Sequence, residues 1–463
     1  MGDALTTRIG GTAVVLGASV AGLCAARVLS ERFDEVVVVD RDALPDGPKW
    51  RKQVPQGRQP HLLLVAGARI LEGWFPGIID ELEAAGAVDL DLCADLFWYQ
   101  GGGVFRRPQS PLRGPAMSRP LLEHTVRSRV EALGNVAIRN ETTVSGLVAD
   151  PANTRVTGVR LGDATIVPCD LLVDAGGRRA PSLAWVTELG YPAPKRDLVE
   201  VDIRYVSRTF RRADVPARDW KGAGVVGGPA SKRIAMALPL EGERWIVAFG
   251  GYHGESAPTD DEGFLAYARS LPSPIIARIV DGSEPLTETV THRFPASQRR
   301  RVEKLRRFPL GWVIAGDAVA SFNPLYGQGM TCAAQQAEAL GACLDRSRAI
   351  DRRFARRFFR AAGRTVNVPW SIAVGGDFAY VGTTGGKPFG TDLLNRYMDR
   401  VFVACQYDDA VTIRANEVLA QVRRPESLLA PAFVARVLRS SRRGPRKSLE
   451  VEPSPLSSPT VTT

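Results

Sequence analysis

The sequence predicts an α/β fold built around a parallel sheet, and three stretches lead to this prediction. Residues 12–42, TAVVLGASVAGLCAARVLSERFDEVVVVDRD, read as an apolar strand, a glycine turn, a helix of small residues and a second strand that ends at Asp40. Residues 169–186 and 307–330 each add an apolar strand followed by an aspartate, Asp174 and Asp317 respectively. Strands that alternate with helices in this way are typical of parallel sheets.

The first stretch matches the βαβ fingerprint for dinucleotides, with Ser19 at the position of the second glycine. Gly17 permits the tight turn, Ser19 leaves room for a pyrophosphate to approach the backbone, and Gly22 lets the helix pack closely on the sheet. The positive end of the helix dipole then stabilises the diphosphate. Asp40 follows at the distance where an acidic side chain accepts hydrogen bonds from ribose hydroxyls. These residues predict a Rossmann-like domain that binds an adenine dinucleotide.

The other two stretches favour a flavin as the second half of that dinucleotide. Asp317, at the carboxyl end of a buried strand, can bind a ribityl hydroxyl, and Asp174 is expected near the cofactor as well. Pro324, Gly327 and Gly329 precede a helix of small apolar residues. Their bare backbone lets main-chain amides approach a flat ring and stabilise negative charge near N1 and O2 of a reduced flavin.

Three motifs, VVLGASVAGL, DAGGRRAPSLAW and AGDAVASFNPLYGQGMT, resemble those of the FAD-dependent monooxygenases of the aromatic hydroxylase and squalene epoxidase type. The resemblance covers about residues 10–345. Residues 54–78, VPQGRQPHLLLVAGARILEGWFPGI, are similar to the corresponding stretch of bacterial polyether epoxidases of the monensin and lasalocid type. It implies a glutathione-reductase-type FAD-binding domain with an inserted antiparallel β-sheet substrate domain and a helical C-terminal region.

The resemblance also implies individual site residues. Arg119 and Arg127 share a helix face that contacts the cofactor in this family; Arg127 is the preferred diphosphate or ribityl contact, with an exposed basic face as the alternative. Val144 is expected to offer backbone groups to the adenine. Arg58 and His61 are expected to border the reaction chamber, and for His61 a structural bond to a loop carbonyl is an equal alternative. The full set expected to bind the cofactor is Gly17, Ser19, Gly22, Asp40, Arg41, Arg119, Arg127, Val144, Asp174, Asp317, Pro324, Gly327, Gly329 and Met330.

The implied reaction is a monooxygenation. Reduction of FAD by NAD(P)H or by an external flavin reductase, followed by O2 addition to give a C4a-hydroperoxyflavin, would place one oxygen atom on an apolar natural-product intermediate. Epoxidation of an alkene in a polyketide or terpenoid is favoured, because it needs no acid or base and none is evident outside the cofactor motifs. Aromatic hydroxylation, an FAD-dependent isoprenoid reductase or dehydrogenase, and a cyclase that keeps FAD without redox chemistry remain open.

The rest of the chain predicts the domain organisation. The FAD-binding domain is expected to span residues 10–200 and 290–345, with part of 75–115 on the substrate side, and a β-sheet substrate domain to span 200–290. Alternation at 199–210, 231–241 and 243–252 predicts antiparallel strands. Tyr205, Met236, Trp245 and Phe249 are candidate pocket walls there, although core packing is favoured for each. Residues 346–440 are expected to be helical, interrupted at 369–390, and 441–463 to be a disordered tail.

Composition limits the partners. The chain of 463 residues carries a formal charge of +10, but its arginines fall in short runs typical of solvated faces, so no nucleic-acid partner is expected. The six cysteines and four histidines show no metal-binding spacing, which predicts free thiols, no metal and a cytoplasmic location. No signal peptide or membrane span is evident. For residues 425–447, a helix packed on the body is favoured over a peripheral membrane contact.

Overall fold

The computed structural model describes residues 8–52, 54–212, 219–281 and 283–446. Its strands are β1 (Gly10–Leu16), β2 (Phe33–Val39), β3 (Val88–Asp91), β4 (Leu96–Gln100), β5 (Gly103–Val104), β6 (Arg113–Ala116), β7 (Val136–Arg139), β8 (Val144–Ala149), β9 (Val156–Leu161), β10 (Ile166–Pro168), β11 (Leu171–Asp174), β12 (Arg196–Arg211), β13 (Gly222–Val226), β14 (Arg233–Leu240), β15 (Arg244–Tyr252), β16 (Val290–Arg300), β17 (Trp312–Ile314), β18 (Ala320–Ser321) and β19 (Thr384–Gly385). Its helices are α1 (Val20–Ser30), α2 (Val65–Trp74), α3 (Ile78–Ala84), α4 (Arg119–Glu131), α5 (Ser182–Glu188), α6 (Gly228–Ser231), α7 (Asp261–Arg269), α8 (Ile275–Asp281), α9 (Gly329–Asp345), α10 (Arg352–Asp377), α11 (Thr391–Cys405), α12 (Asp409–Leu419) and α13 (Pro431–Ser441).

A parallel sheet of strand order β7-β2-β1-β11-β17 forms the centre of the nucleotide-binding half. Strands β11 and β17 and the carboxyl halves of β1 and β2 are apolar and buried, as expected for a parallel sheet covered by helices, while β7 at one edge is partly exposed. The register pairs Leu16 with both Val39 and Asp174, and Asp174 with Ile314. The carboxyl ends of four strands therefore lie side by side, and ligands of open α/β sheets bind at this edge.

A larger mixed sheet lies beside it, in the order β18-β16-β12-β15-β14-β13-β4-β5, with β19 paired to β12. The pairs of β15 with β12 and β14 are antiparallel, which confirms the three predicted strands, and β13 runs parallel to β4. Strands β4 and β5 bring residues 96–104 into this sheet. Two further small sheets form from β8, β9 and β10 and from β3 and β6. The predicted fold class is confirmed.

The two faces of the mixed sheet have different partners. Trp245 and Phe249 point to one face, where they join a core with Phe264 of α7 and Ile276 of α8. Tyr205 points to the opposite face and joins the core that contains α9 and α10. Core packing, which the sequence favoured over a pocket wall for Trp245 and Phe249, is therefore confirmed, because alternation in β15 directs both toward α7 and α8. Met236 is half-buried in a third cluster with Ile246 and Leu240.

Helix α10 continues through Pro369, where the sequence predicted an interruption. Trp370, Ala373 and Val374 follow at helical spacing and are buried, so packing of this face sustains the helix beyond the proline. The break begins only after Asp377. Helix α13 then packs Phe433 and Val437 into a core shared with α11, as favoured for this amphipathic segment. Residues 447–463 of the predicted tail lie outside the described residues.

Two bulk properties follow from the described residues. No helix in the described ranges is both long and apolar enough to cross a membrane. All six cysteines are buried as free thiols.

Candidate functional site

The glycine turn after β1 has the geometry that the fingerprint requires. Gly17 has φ +95°, and a Cβ there would lie 2.9 Å from the carbonyl oxygen of Ala175. A Cβ on Gly22 would lie only 1.7 Å from the carbonyl oxygen of Gly17. Helix α1 therefore rests directly on the turn, and its N-terminal amides lie at the carboxyl edge of the sheet.

Asp40 anchors the second strand end in a buried ionic network. Its carboxylate accepts hydrogen bonds from the amides of Ala18 at 2.6 Å and Asp42 at 2.9 Å. Arg51 donates to Asp40 and Asp42 at 3.1 Å and to Glu123 at 2.7 Å. The Arg51 side chain is nearly enclosed, and its Nη2 has no partner among the described residues. A buried donor left free beside the ribose position is what a bound nucleotide would complete.

Arg119 joins helix α4 to the glycine turn. Its Nη2 donates to the Ser19 hydroxyl at 2.7 Å, and Ser19 in turn donates to Glu123 at 2.9 Å. Burial raises the pKa of Glu123, but Arg119 and Arg51 outweigh it, so the pKa is lowered and the group is a carboxylate. Arg119 thus places a positive charge next to the N-terminus of α1, where a diphosphate would lie.

Arg127 takes a different position from the one expected. Its guanidinium donates to the carbonyl of Pro45 and lies 3.7 Å from Glu131. These contacts hold it against the loop after β2, so the geometry favours Arg119 over Arg127 as the diphosphate contact. Arg41 is exposed. Val144 begins β8 and is half-buried, and the amide of Thr142 just before it donates to the carbonyl of Asp40, which keeps this strand near the predicted ribose.

Asp174 is closed to any ligand. The side chain is fully buried, one oxygen accepts from the Gly176 amide at 2.8 Å, and the other accepts from the amide and hydroxyl of Ser182 at 3.0 and 2.6 Å. Burial raises its pKa, and these donors oppose the rise. The expectation that Asp174 binds the cofactor directly is wrong, because its carboxylate is used to fix the Gly176 turn and the start of α5.

Asp317, in contrast to Asp174, has carboxylate oxygens that are free to accept hydrogen bonds from a ligand. It is half-buried, and no hydrogen bond or ion pair joins its carboxylate to another residue in the described ranges. Burial raises its pKa, while Arg178 and Arg119 lower it. Gly316, just before it, has φ +65° and sits so close to α1 that a Cβ would lie 2.6 Å from the Cβ of Ala21. The carboxylate is therefore held at the sheet edge, with its acceptor sites free for a hydroxyl-bearing ligand.

Residues 323–329, called the 323–329 segment below, lead from Asp317 into α9. Pro324 opens a single 3-10 turn and Gly327 has φ +63°. No atom of the described residues lies within 4 Å of a Cβ built on Gly327 or Gly329. The backbone at the start of α9 is therefore open on the side where a Cβ would stand. Met330 follows inside the first turn and is buried.

Two side chains beside this segment have unsatisfied polar atoms. Gln328 is 1% exposed, and neither its Oε1 nor its Nε2 has a partner in the part of the chain that the structure describes. Thr331 is fully buried, and its Oγ1 is also unpartnered within the described part of the chain. Buried polar atoms without partners are rare in folded proteins. Their concentration at one helix N-terminus indicates a polar ligand there.

Arg58 and His61 lie in the stretch between β2 and α2. The Arg58 guanidinium stacks 3.9 Å from the Trp50 ring and is exposed. His61 is half-buried, and its Nδ1 lies 2.8 Å from the carbonyl oxygen of Gln59. Burial and the charge of Arg119 lower its pKa to about 3, so the ring is neutral at neutral pH and donates from Nδ1 to that carbonyl. This contact matches the structural alternative for His61 and leaves its Nε2 as an acceptor.

The donor set fits FAD. Amides of α1 with Ser19 and Arg119 would hold the diphosphate, Asp40 and Arg51 the adenosine ribose, Asp317 the ribityl chain, and the 323–329 segment the flavin ring. Arg51, Gln328 and Thr331 each have buried polar atoms without a partner in the described residues, which such a ligand would complete. No group of three or more His, Cys, Asp or Glu side chains in the described ranges is arranged to hold a metal ion.

Comparisons with known proteins agree with this geometry. Residues 11–347 match the FAD binding domain family. Protein Rv3254 of Mycobacterium tuberculosis is 36% identical over 397 residues, which cover 81% of this chain and 82% of that protein. PqsL, a probable FAD-dependent monooxygenase from Pseudomonas aeruginosa, superimposes with a TM-score of 0.61 at 18% identity, over 80% of this chain and 97% of that one.

A flavoprotein/dehydrogenase from Cytophaga hutchinsonii superimposes with a TM-score of 0.65 at 16% identity, over 94% of this chain and 98% of that one. At such identities the two structures show a shared fold, while the match over residues 11–347 shows the family. The chain belongs to the FAD binding domain family and has the fold of FAD-dependent monooxygenases.

Proposed function

We propose that this protein is an FAD-dependent monooxygenase that transfers one oxygen atom from O2 to an apolar natural-product intermediate. The observation that carries the proposal is the unpaired Asp317 carboxylate next to the bare 323–329 segment, with the orphaned Gln328 and Thr331 side chains beside it. When bound, FAD supplies the storage of electrons and their delivery to O2.

The protein's own residues orient FAD and enclose the reaction site. Arg119 and the start of α1 fix the diphosphate, and Asp317 fixes the ribityl chain, so that the ring is expected to lie along the 323–329 segment. Amides at Gly327 and Gly329 then supply positive partial charge to the pyrimidine edge of the ring. Tyr205 lies on the face of the mixed sheet that packs against the core containing α9, and this face is expected to help keep water from the ring.

Epoxidation of an alkene in a polyketide or terpenoid is the preferred reaction. It is supported by the resemblance of residues 54–78 to polyether epoxidases and by the lowered pKa of His61, about 3, which makes that ring a weak base. Aromatic hydroxylation is the second candidate, because the structure reveals a buried carboxyl, Asp377, that contacts Asn323 at the start of the 323–329 segment. An acid or base near the ring would assist hydroxylation of a phenol.

The test is incorporation of labelled oxygen. Purified protein would be supplied with FAD, with NADH, NADPH or a separate flavin reductase, and with a panel of polyenes and phenols under 18O2. We expect one labelled oxygen atom in the product and consumption of one O2 per product. Product formed at full rate under nitrogen would contradict the proposal and favour a reductase, dehydrogenase or cyclase. The three reductant arms identify the electron source.

A further inference from the structure

A buried carboxyl lies at the end of α10, outside every cofactor motif. Asp377 is the last residue of the helix and is 0% exposed. Its Oδ1 accepts hydrogen bonds from the Tyr252 hydroxyl at 3.0 Å and from Asn323 Nδ2 at 2.7 Å. Its Oδ2 is sealed from solvent and has no partner among the described residues. A carboxyl in this state is an exception that calls for a functional reason.

Asn323 connects this carboxyl to the 323–329 segment. It is fully buried, and its Oδ1 accepts from the Tyr205 hydroxyl at 2.7 Å and from the amide of Leu325 at 3.1 Å. Its Nδ2 donates to Asp377 and to the Tyr252 hydroxyl, the latter at 2.9 Å. The residue just before Pro324 is therefore clamped between the mixed sheet and α10.

Tyr326 makes a second attachment between the segment and α10. Its hydroxyl packs directly over Gly376, where a Cβ would lie 2.0 Å from the hydroxyl oxygen. The neighbouring Gly375 has nothing within 4 Å of an added Cβ. The end of α10 thus touches the segment at both Asn323 and Tyr326, and only the glycine at 376 makes the second contact possible.

Asp377 can change its charge near neutral pH. Burial raises its pKa to about 7, against the opposing effect of the Asn323 and Tyr252 donors. Its position at the negative end of the α10 dipole acts in the same direction as burial. Four tyrosines feel its charge: Tyr205 of β12, Tyr252 of β15, Tyr326 of the segment and Tyr380 after α10. Two histidines lie one contact further out, where His253 bonds Thr383 and His292 of β16 stacks on Tyr205. Burial raises the pKa of these tyrosines and lowers that of these histidines, so all of them stay neutral around pH 7.

We propose that Asp377 is a positioning residue that holds the 323–329 segment through Asn323, and that the gain or loss of its proton changes how firmly the segment is held against the flavin ring. As a carboxylate it accepts two charge-assisted hydrogen bonds, which are roughly twice as strong as neutral ones. As a neutral acid it loses that advantage, and its own proton needs an acceptor that the described residues do not provide. The segment is held more tightly in the ionised state. The inference rests on the proposed placement of FAD along the segment.

The first experiment uses the FAD-loaded protein and its Asp377→Asn variant, which keeps an acceptor for Asn323 and Tyr252 but cannot titrate. Flavin absorbance and fluorescence are recorded from about pH 5.5 to about 8.5. We expect the wild-type signal to change with a midpoint near pH 7 and the variant signal to lose at least about four-fifths of that amplitude. An infrared difference spectrum between the two proteins should show a carboxylic-acid carbonyl band that disappears over the same range.

A pair of glycine variants tests the contact between the end of α10 and Tyr326 of the segment without altering charge. Gly376→Ala displaces Tyr326 and should shift the flavin spectrum, while Gly375→Ala adds the same methyl group into open space and should not. A flavin signal independent of pH, in a protein whose infrared band titrates, would overturn the inference and leave the proposed function standing. Equal effects of Gly376→Ala and Gly375→Ala on the flavin spectrum would also overturn the inference and leave the proposed function standing. A wild-type protein that binds no FAD would overturn both.

Discussion

Arg119 donates a hydrogen bond from Nη2 to the Ser19 hydroxyl over 2.7 Å, and this contact joins the first turn of α4 to the first turn of α1. The hydroxyl that replaces the second glycine of the fingerprint is therefore part of a charged network with Glu123. It is not merely a small residue that tolerates a pyrophosphate. The arginine stands at the point where two helix N-termini would meet a diphosphate.

Replacing Arg119 should weaken FAD binding more than replacing Arg127. Arg119→Gln removes a charge-assisted donor, whose loss is worth about 1.5–3 kcal/mol, so we expect the Kd for FAD to rise by roughly 10- to 100-fold. Arg127→Gln loses contacts to Pro45, His124 and Glu131, all of them outside the glycine turn, and the Kd should stay within about threefold. Titration of apoprotein with FAD, followed by fluorescence quenching, measures both. A larger rise in Kd for Arg127→Gln than for Arg119→Gln would support Arg127 as the diphosphate contact, as the sequence predicted.

Alanine substitutions of Asp317 and Asp174 should affect different properties, FAD binding for Asp317 and the free energy of unfolding for Asp174. Asp317→Ala should lose most bound FAD, while the melting temperature of the apoprotein stays level, because the carboxylate has no hydrogen-bond partner in the described residues. Asp174→Ala leaves the Gly176 and Ser182 donors unsatisfied in the core, which should cost about 3 kcal/mol of unfolding free energy. Visible absorbance and circular dichroism melts read the two effects. An Asp317→Ala protein that keeps its full yellow colour would remove Asp317 from the site.

The local parts of this site could be predicted from the sequence. Gly17, Gly22, Asp40 and Asp317 lie within or next to single strands whose apolar runs are easily recognised, and a turn or strand end fixes what each residue does. Asp174 shows the limit of such reasoning, because the same strand-end position supports either a ligand contact or a cap. Only the contact with Ser182, eight residues on, decides between them.

Residues that depend on distant partners could not be found in this way. Arg51 lies in a loop without periodicity, and its partner Glu123 is 72 positions away. Asp377 ends a long helix, and its partner Tyr252 is 125 positions away. Alternation in β15 groups Trp245 with Phe249, but it does not say which face of the sheet meets the cofactor half. Tertiary packing, which no local pattern records, made that choice.

Gly22→Ala should unfold or strongly destabilise the nucleotide-binding half. The added Cβ would stand 1.7 Å from the Gly17 carbonyl oxygen, a backbone atom that cannot move aside without displacing α1. We expect a loss of at least about 3 kcal/mol of unfolding free energy. Gly73→Ala, in α2 with open space around the new methyl group, is the matched control and should gain about 0.5–1 kcal/mol. Chemical denaturation compares them, and equal stabilities would refute the close packing of α1 on the turn.

The titration of Asp377 should also appear in the pH dependence of stability. Its pKa is raised from 3.8 to about 7 in the folded protein, so between those values the folded chain holds a proton that the unfolded chain has released. Stability from this group is therefore greatest at low pH and is lost as the pH rises through about 7. Asp377→Asn has no such proton to lose. The difference in unfolding free energy, variant minus wild type, should therefore increase with pH from about pH 5, by at most about 1.4 kcal/mol per pH unit, and level off near pH 8.

Urea denaturation of both proteins at several pH values gives this difference directly. Asp150→Asn is the control for the same measurement, because hydrogen bonds from Thr154 lower the pKa of Asp150 and keep it ionised across the whole window. Its difference from the wild type should therefore be constant with pH. A constant difference for Asp377→Asn as well would mean that Asp377 does not titrate near neutrality. The charge-dependent hold on Asn323 would then have no source.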